Sequence, residues 1–142
     1  MQSRDSIIIR GVVPAIVVIL GTTACAPSWD AHELITPTQL LTQIKAGNPP
    51  VILDVRTVEE YEAGHIPGAI QIYFQDVPTR IKDLQTFAEQ DVVIYCERGF
   101  RAQIAETALL KAGFAQIYHL EGDIKAWRRA NFPVEKGTGT QF

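Results

Sequence analysis

The chain has 142 residues, 46% hydrophobic and 20% charged, with a formal net charge of −3. That balance fits one globular domain and excludes disordered and fibrous classes. Its basic residues are scattered, which argues against a nucleic-acid partner, and His32, His65 and His119 lack metal-ligand spacing, so neither a metal nor another cofactor is expected.

The first segment reads as an address. Arg4 and Arg10 supply a positive start, Gly11 to Gly21 is an uncharged apolar stretch, and Thr22, Thr23 and Ala24 lead into Cys25. This predicts a signal peptide over 1–24, because the apolar stretch falls short of the roughly 20 residues that span a bilayer. Thr22-Thr23-Ala24-Cys25 resembles the bacterial lipobox, although Thr22 stands where that motif prefers an aliphatic residue. The resemblance implies lipidation of Cys25, export to a periplasmic or other extracytoplasmic compartment, and attachment to a membrane through a lipid anchor. Cleavage after Ala26 to give a soluble exported protein, and an uncleaved anchor, are the alternatives. Residues 25–31 then form a tether, residues 32–135 the domain, and 136–142 a flexible tail.

Within the domain, Thr36-Pro37-Thr38-Gln39 has the form of a capping box and starts a helix that Gly47 stops. The continuous apolar run Val51 to Val55 predicts a strand buried on both faces. Thr57 to Glu60 repeats the capping box for a short helix ending at Gly64, and Ala69 to Ile72 predicts another strand. Asp76 is expected to cap a third helix with Val77, Ile81, Leu84 and Phe87 on one face. Val92 to Tyr95 reads as a strand, and Arg101 to Ala112 as a helix turning Ile104, Ala105, Ala108 and Leu109 inward. A strand over Ile117 to Leu120 and a helix from Asp123 to Ala130 complete the alternation, with Asp123 as the expected N-cap. Strand and helix alternating in this way imply an α/β fold, a mainly parallel sheet with helices on both faces.

Ligands of such sheets bind beyond the carboxyl ends of the strands, and Cys96 lies at such an end. The loop Cys96-Glu97-Arg98-Gly99-Phe100-Arg101 leads directly into a helix, whose first amides lack intrahelical acceptors and favour an anion. A thiolate is such an anion, and Arg98 and Arg101 add positive charge to the loop. Arg98 suits anion binding, whereas Arg101 suits a structural pairing with a carboxylate such as Glu60. Glu97 opposes an anion if turned inward, and turned outward it would select a cationic acceptor. Asp54 and Arg56 end a neighbouring strand and are expected to fix loops there, while His65, Tyr61 and Trp127 read as structural. A buried structural cysteine is the plain alternative for Cys96 itself.

Three blocks of the sequence together resemble the rhodanese-like sulfurtransferases. They are Asp54 to Tyr61 with Gly64-His65-Ile66-Pro67-Gly68-Ala69, then Tyr95 to Arg101, then Gly113-Phe114 with Leu120-Glu121-Gly122 and Trp127. The resemblance implies a single rhodanese domain with a five-stranded sheet, Cys96 as the persulfide-forming nucleophile, and the loop from Glu97 to Arg101 cradling the sulfur. It also implies a small sulfur-containing anion such as thiosulfate as donor and a thiol or cyanide as acceptor. Related phosphatases carry a loop one residue longer, so Arg101 five positions after Cys96 points to sulfur rather than phosphate. A noncatalytic module that binds a partner or an anion is the alternative, with a Cys-dependent phosphatase behind it. Ala102 and Asp123 depart from the family pattern, which usually has Ser and Gly there.

Overall fold

The computed structural model describes residues 33–142. The signal peptide, the tether and the lipidation site at Cys25 lie outside the described residues. Among the described residues, no helix is long and apolar enough to cross a membrane.

Local sequence sets the first elements. Thr36 accepts the Gln39 amide through Oγ1 at 3.2 Å while its own amide donates to Gln39 Oε1 at 2.9 Å, and this reciprocal cap starts α1, Pro37–Lys45. Thr57 and Glu60 make the same pair of bonds at the start of α2, Val58–Ala63. Both expected capping boxes are therefore formed.

Six strands make one parallel sheet: β1 (Glu33–Ile35), β2 (Val51–Asp54), β3 (Ile70–Gln71), β4 (Asp91–Tyr95), β5 (Gln116–Leu120) and β6 (Thr140–Gln141), in the order β1-β5-β4-β2-β3-β6. The expectation of five strands is corrected to six, and the expected frayed tail supplies the sixth. The tail is held by side chains as well as by the ladder. Phe142 donates its amide to Gln71 O at 3.1 Å, stacks edge-on against Phe87, and lies under the Arg80 guanidinium.

Period-two alternation divides the core between the two faces of the sheet. Val92, Ile94 and Cys96 face one side, where they pack with Leu53, Val55, Leu84, Ala105 and Leu109. Val93 and Tyr95 face the other, among Leu40, Tyr61, Ile124 and Trp127. The helices that complete these layers are α3 (Ile81–Leu84) and α4 (Phe100–Lys111) on the first side, and α1, α2 and α5 (Asp123–Arg129) on the second. Central strands buried on both faces account for the continuous apolar runs.

Three local expectations need correction. The helix expected after Asp76 breaks into a 3-10 turn over Val77–Thr79, the single turn α3, and a second 3-10 turn over Gln85–Phe87. Arg80, at φ −105° and ψ 13°, lies outside the helical region, and Asp76 makes no side-chain cap. Helix α4 buries Ala102, Ala105, Glu106 and Leu109, leaving Ile104 exposed beside Pro78 and Ile81. Finally, Gly122 rather than Asp123 caps α5, and the Asp123 side chain does something else.

Gly139 permits the tail to dock. A Cβ there would collide with the hydroxyl of Tyr61, a buried ring that stacks on His65 at 3.6 Å and donates to Ala69 O at 2.7 Å, so it has no room to retreat. Gly139→Ala is therefore expected to lift β6 from the sheet, and the Phe142 amide, hydrogen-bonded to Gln71 O in the wild type, should exchange with solvent at least about tenfold faster. Unchanged exchange would show that the tail docks without this close approach.

Candidate functional site

Cys96 follows the last residue of β4 and is 1% exposed. Main-chain bonds fix it on both sides: its amide donates to Asp123 Oδ1 at 2.8 Å, and its carbonyl accepts from the Ile124 amide at 3.2 Å. The loop then turns through Gly99 at φ +91°, a conformation that a side chain would strain, and α4 begins without a side-chain cap. That turn aims the Gly99 amide at Cys96 Sγ, to which it donates at 3.1 Å. The first amides of α4 follow it without intrahelical acceptors, so positive partial charge gathers around the sulfur.

The thiol opens into a pocket of about 390 Å³ lined by Cys96, Glu97, Arg98, Phe100 and Arg101. All the loop residues singled out from sequence come together here, with Gly99 as the buried pivot. Phe100 stands on the rim 72% exposed, and Arg98 is exposed and makes no ion pair with a described residue. Arg98 is thus a cation available to an incoming anion.

Arg101 is committed differently. Its two guanidinium nitrogens donate to Glu60 at 2.6 and 2.9 Å, a bidentate pair that ties α4 to α2. The Glu60 hydrogen bond, and after it the Cys96 sulfur, raises the guanidinium above its ordinary range. The Arg101 hydrogen bond in turn lowers Glu60 from 4.5 to about 2. Glu97 turns sideways, with Oε2 3.5 Å from Arg128 and 3.9 Å from Arg56, so its charge is met by arginines rather than by the thiol.

Asp54 and Arg56 lie beneath the loop and form a buried pair. Arg56 also donates to Gly64 O at 2.9 Å and lies over the Tyr95 ring, while the Tyr95 hydroxyl donates to Asp54 at 2.7 Å. Burial pushes the Tyr95 phenol well above its usual range, with the Asp54 charge adding to the effect. These residues hold the ends of β2 and β4 in place and do not line the pocket. His65 is likewise structural, sharing a 2.8 Å hydrogen bond with Tyr61 O.

Sequence reasoning missed one cluster. His119, in β5 beside Ile94 of β4, lies between two buried carboxylates: Nδ1 is 2.6 Å from Glu106 Oε1 and Nε2 is 3.4 Å from Asp123 Oδ2. These carboxylates, Asp123 first and then Glu106, raise His119 from 6.5 to about 10. The usable signal was Glu106, a charged residue in the otherwise apolar series Ala102, Ala105 and Leu109, since a buried carboxylate needs a partner. Among the described residues, no group of His, Cys, Asp and Glu is arranged to hold a metal.

With this geometry in hand, the comparisons with known proteins are specific. The family model for the rhodanese-like domain matches residues 36–130. A sulfurtransferase of Allochromatium vinosum is 36% identical over 95 residues, covering 66% of this chain and 87% of its own length. An HTH-type transcriptional regulator of Mycobacterium tuberculosis is 37% identical over 108 residues, covering 75% of this chain; this chain spans only 46% of that regulator. Among solved structures, a rhodanese-related protein from Thermoplasma volcanium superposes with a TM-score of 0.65 at 27% identity, covering 75% of this chain and all of that one. The chain belongs to the rhodanese-like family, and the sulfurtransferase among these relatives is matched over most of its own length.

The Arg101–Glu60 pair gives a signed pH dependence. A carboxylate whose folded pKa is depressed adds stability above its unfolded value, and that stability is lost as the pH falls through the folded one. Wild-type melting temperature should therefore drop between pH 4.5 and about 2 more steeply than that of Glu60→Gln, which should itself be less stable near neutrality. Parallel acid profiles would show that the pair does not stabilise the fold.

Proposed function

We propose that this protein is a thiosulfate-type sulfurtransferase working through a persulfide on Cys96. The observation that carries the reading is the 3.1 Å hydrogen bond from the Gly99 amide to Sγ, within a loop whose arginine is locked to Glu60 and whose other arginine faces the pocket. The Gly99 N–H aimed at Sγ meets the negative charge of the attacking sulfur, and the mechanism calls for no separate base in the pocket.

A donor such as thiosulfate enters with its sulfonate end towards Arg98. The Cys96 thiolate attacks the outer sulfur, the donor's S–S bond breaks, and sulfite leaves with the bonding pair. In the resulting persulfide Sγ keeps the Gly99 N–H beside it, and the terminal sulfur carries the negative charge out into the pocket, where Arg98 stands. An acceptor thiolate or cyanide then attacks that terminal sulfur, carrying it off as a persulfide or thiocyanate and returning Cys96 as a thiolate. Cys96 is the free cysteine among the described residues, so discharge falls to an external acceptor.

The short loop favours sulfur over a phosphoryl group, since Arg101 closes it five positions after Cys96. The N-terminal pattern supports export and lipid attachment at Cys25 as part of the same proposal.

Cys96→Ser keeps the size of a fully buried side chain and removes the nucleophile. It should lower thiosulfate-dependent thiocyanate formation by about 10³-fold or more while leaving the circular dichroism spectrum unchanged. A folded Cys96→Ser variant that retains turnover would contradict the proposal.

A further inference from the structure

The Cys96 amide is held by an acidic side chain from another element, which is unexpected beside a group that works as an anion. Asp123 occupies a left-handed position at φ +54°, where glycine is the unstrained choice, so its side chain is retained against a backbone cost. Its two oxygens divide their work: Oδ1 accepts the Cys96 amide at 2.8 Å, and Oδ2 faces His119 Nε2 at 3.4 Å. The far side of the ring meets Glu106 at 2.6 Å. Both ring nitrogens thus face carboxylates, and both hydrogen bonds require them to donate, which makes the ring a cation and fixes its tilt. The elevated His119 pKa agrees with that assignment.

The cluster also reaches the other end of the loop. A Cβ built on Gly99 would lie 3.4 Å from Asp123 Oδ2 and 3.6 Å from the His119 ring, so Gly99 rests against the same two side chains. One assembly of β5, α4 and α5 therefore seats the residue that carries the sulfur and the residue whose amide meets it.

We propose that Asp123, clamped through His119 to Glu106, is a positioning residue that sets the Cys96 loop so that the Gly99 amide addresses Sγ. It touches no reacting atom and acts by holding main chain. The clamp's imidazolium offsets one of its two carboxylates, so the anchor brings less negative charge to the sulfur than an isolated aspartate would. The inference deepens the sulfurtransferase reading and rests on it for what the sulfur does next.

The test uses alkylation of Cys96 by iodoacetamide in the full chain, read on the Cys96 peptide by mass spectrometry, because this needs no sulfur transfer. Asp123→Gly suits the backbone and removes the anchor; its Cys96 should alkylate at least about tenfold more slowly, with kcat for thiosulfate falling in parallel. Asp123→Asn keeps an oxygen for the Cys96 amide and turns a donor towards His119, so it should stay within about threefold of wild type. In NMR spectra at about pH 8, above the ordinary histidine range, both His119 ring nitrogens should be protonated in the wild type and only one in Asp123→Asn. Unslowed alkylation in Asp123→Gly, an Asp123→Asn variant as slow as Asp123→Gly, or a singly protonated wild-type ring would overturn the inference. If Asp123→Gly fails to fold, an Asp123→Asn variant that alkylates at least about tenfold more slowly than wild type, or the singly protonated ring, still overturns the inference. Normal alkylation effects without any sulfur transfer would instead fault the sulfurtransferase reading.

Discussion

A sulfur atom buried at the end of a central strand, facing a main-chain N–H, is the constraint around which the rest of this structure is arranged. The bond from the Gly99 amide to Cys96 Sγ is a single contact of 3.1 Å, yet it exists only because the chain reverses at φ +91° directly before α4. A β-carbon at Gly99 would strain that turn, because the left-handed conformation suits glycine. Burial strips water from around the sulfur, and the Gly99 N–H takes the place of a water donor there.

Such a turn would not hold its shape unaided, since loops carry few packing contacts of their own. Three ties, from two helices and the ends of two strands, fix it. Asp123 and Ile124, at the start of α5, hold the main chain of Cys96; Glu60 of α2 grips Arg101; and the Asp54–Arg56–Tyr95 network locks the strand ends beneath. Because the ties come from different elements, the loop's geometry is a property of the whole domain. The outward face stays open, with Phe100 and Arg98 around the pocket.

Most of the architecture was legible in the sequence because the elements announce themselves chemically. Both capping boxes form, and the apolar runs of β2 and β4 are the central strands, since burial on two faces leaves no polar alternation to read. The Cys96 loop was legible for the same reason, as was the pairing of Arg101 with Glu60. What escaped was set by tertiary contact. β1 and β6 are strands of three and two residues, too short for any periodicity, and each is defined by its neighbour. The segment after Asp76 shows helical spacing but is broken at Arg80. Asp123 looked like a cap because acidic residues favour helix starts, whereas its position at φ +54° turns the side chain towards Cys96 instead. The His119 clamp joins residues from three elements, and only Glu106, charged on an apolar helix face, hinted at it.

The central claim is that the loop stabilises a sulfur atom added to Cys96, and the most direct measurement is a crystal structure of the protein soaked in thiosulfate. A second sulfur bonded to Cys96 Sγ and carried out into the pocket where Arg98 stands is the predicted result. An unmodified thiol with intact thiosulfate resting on Arg98, or with nothing in the pocket, would contradict it.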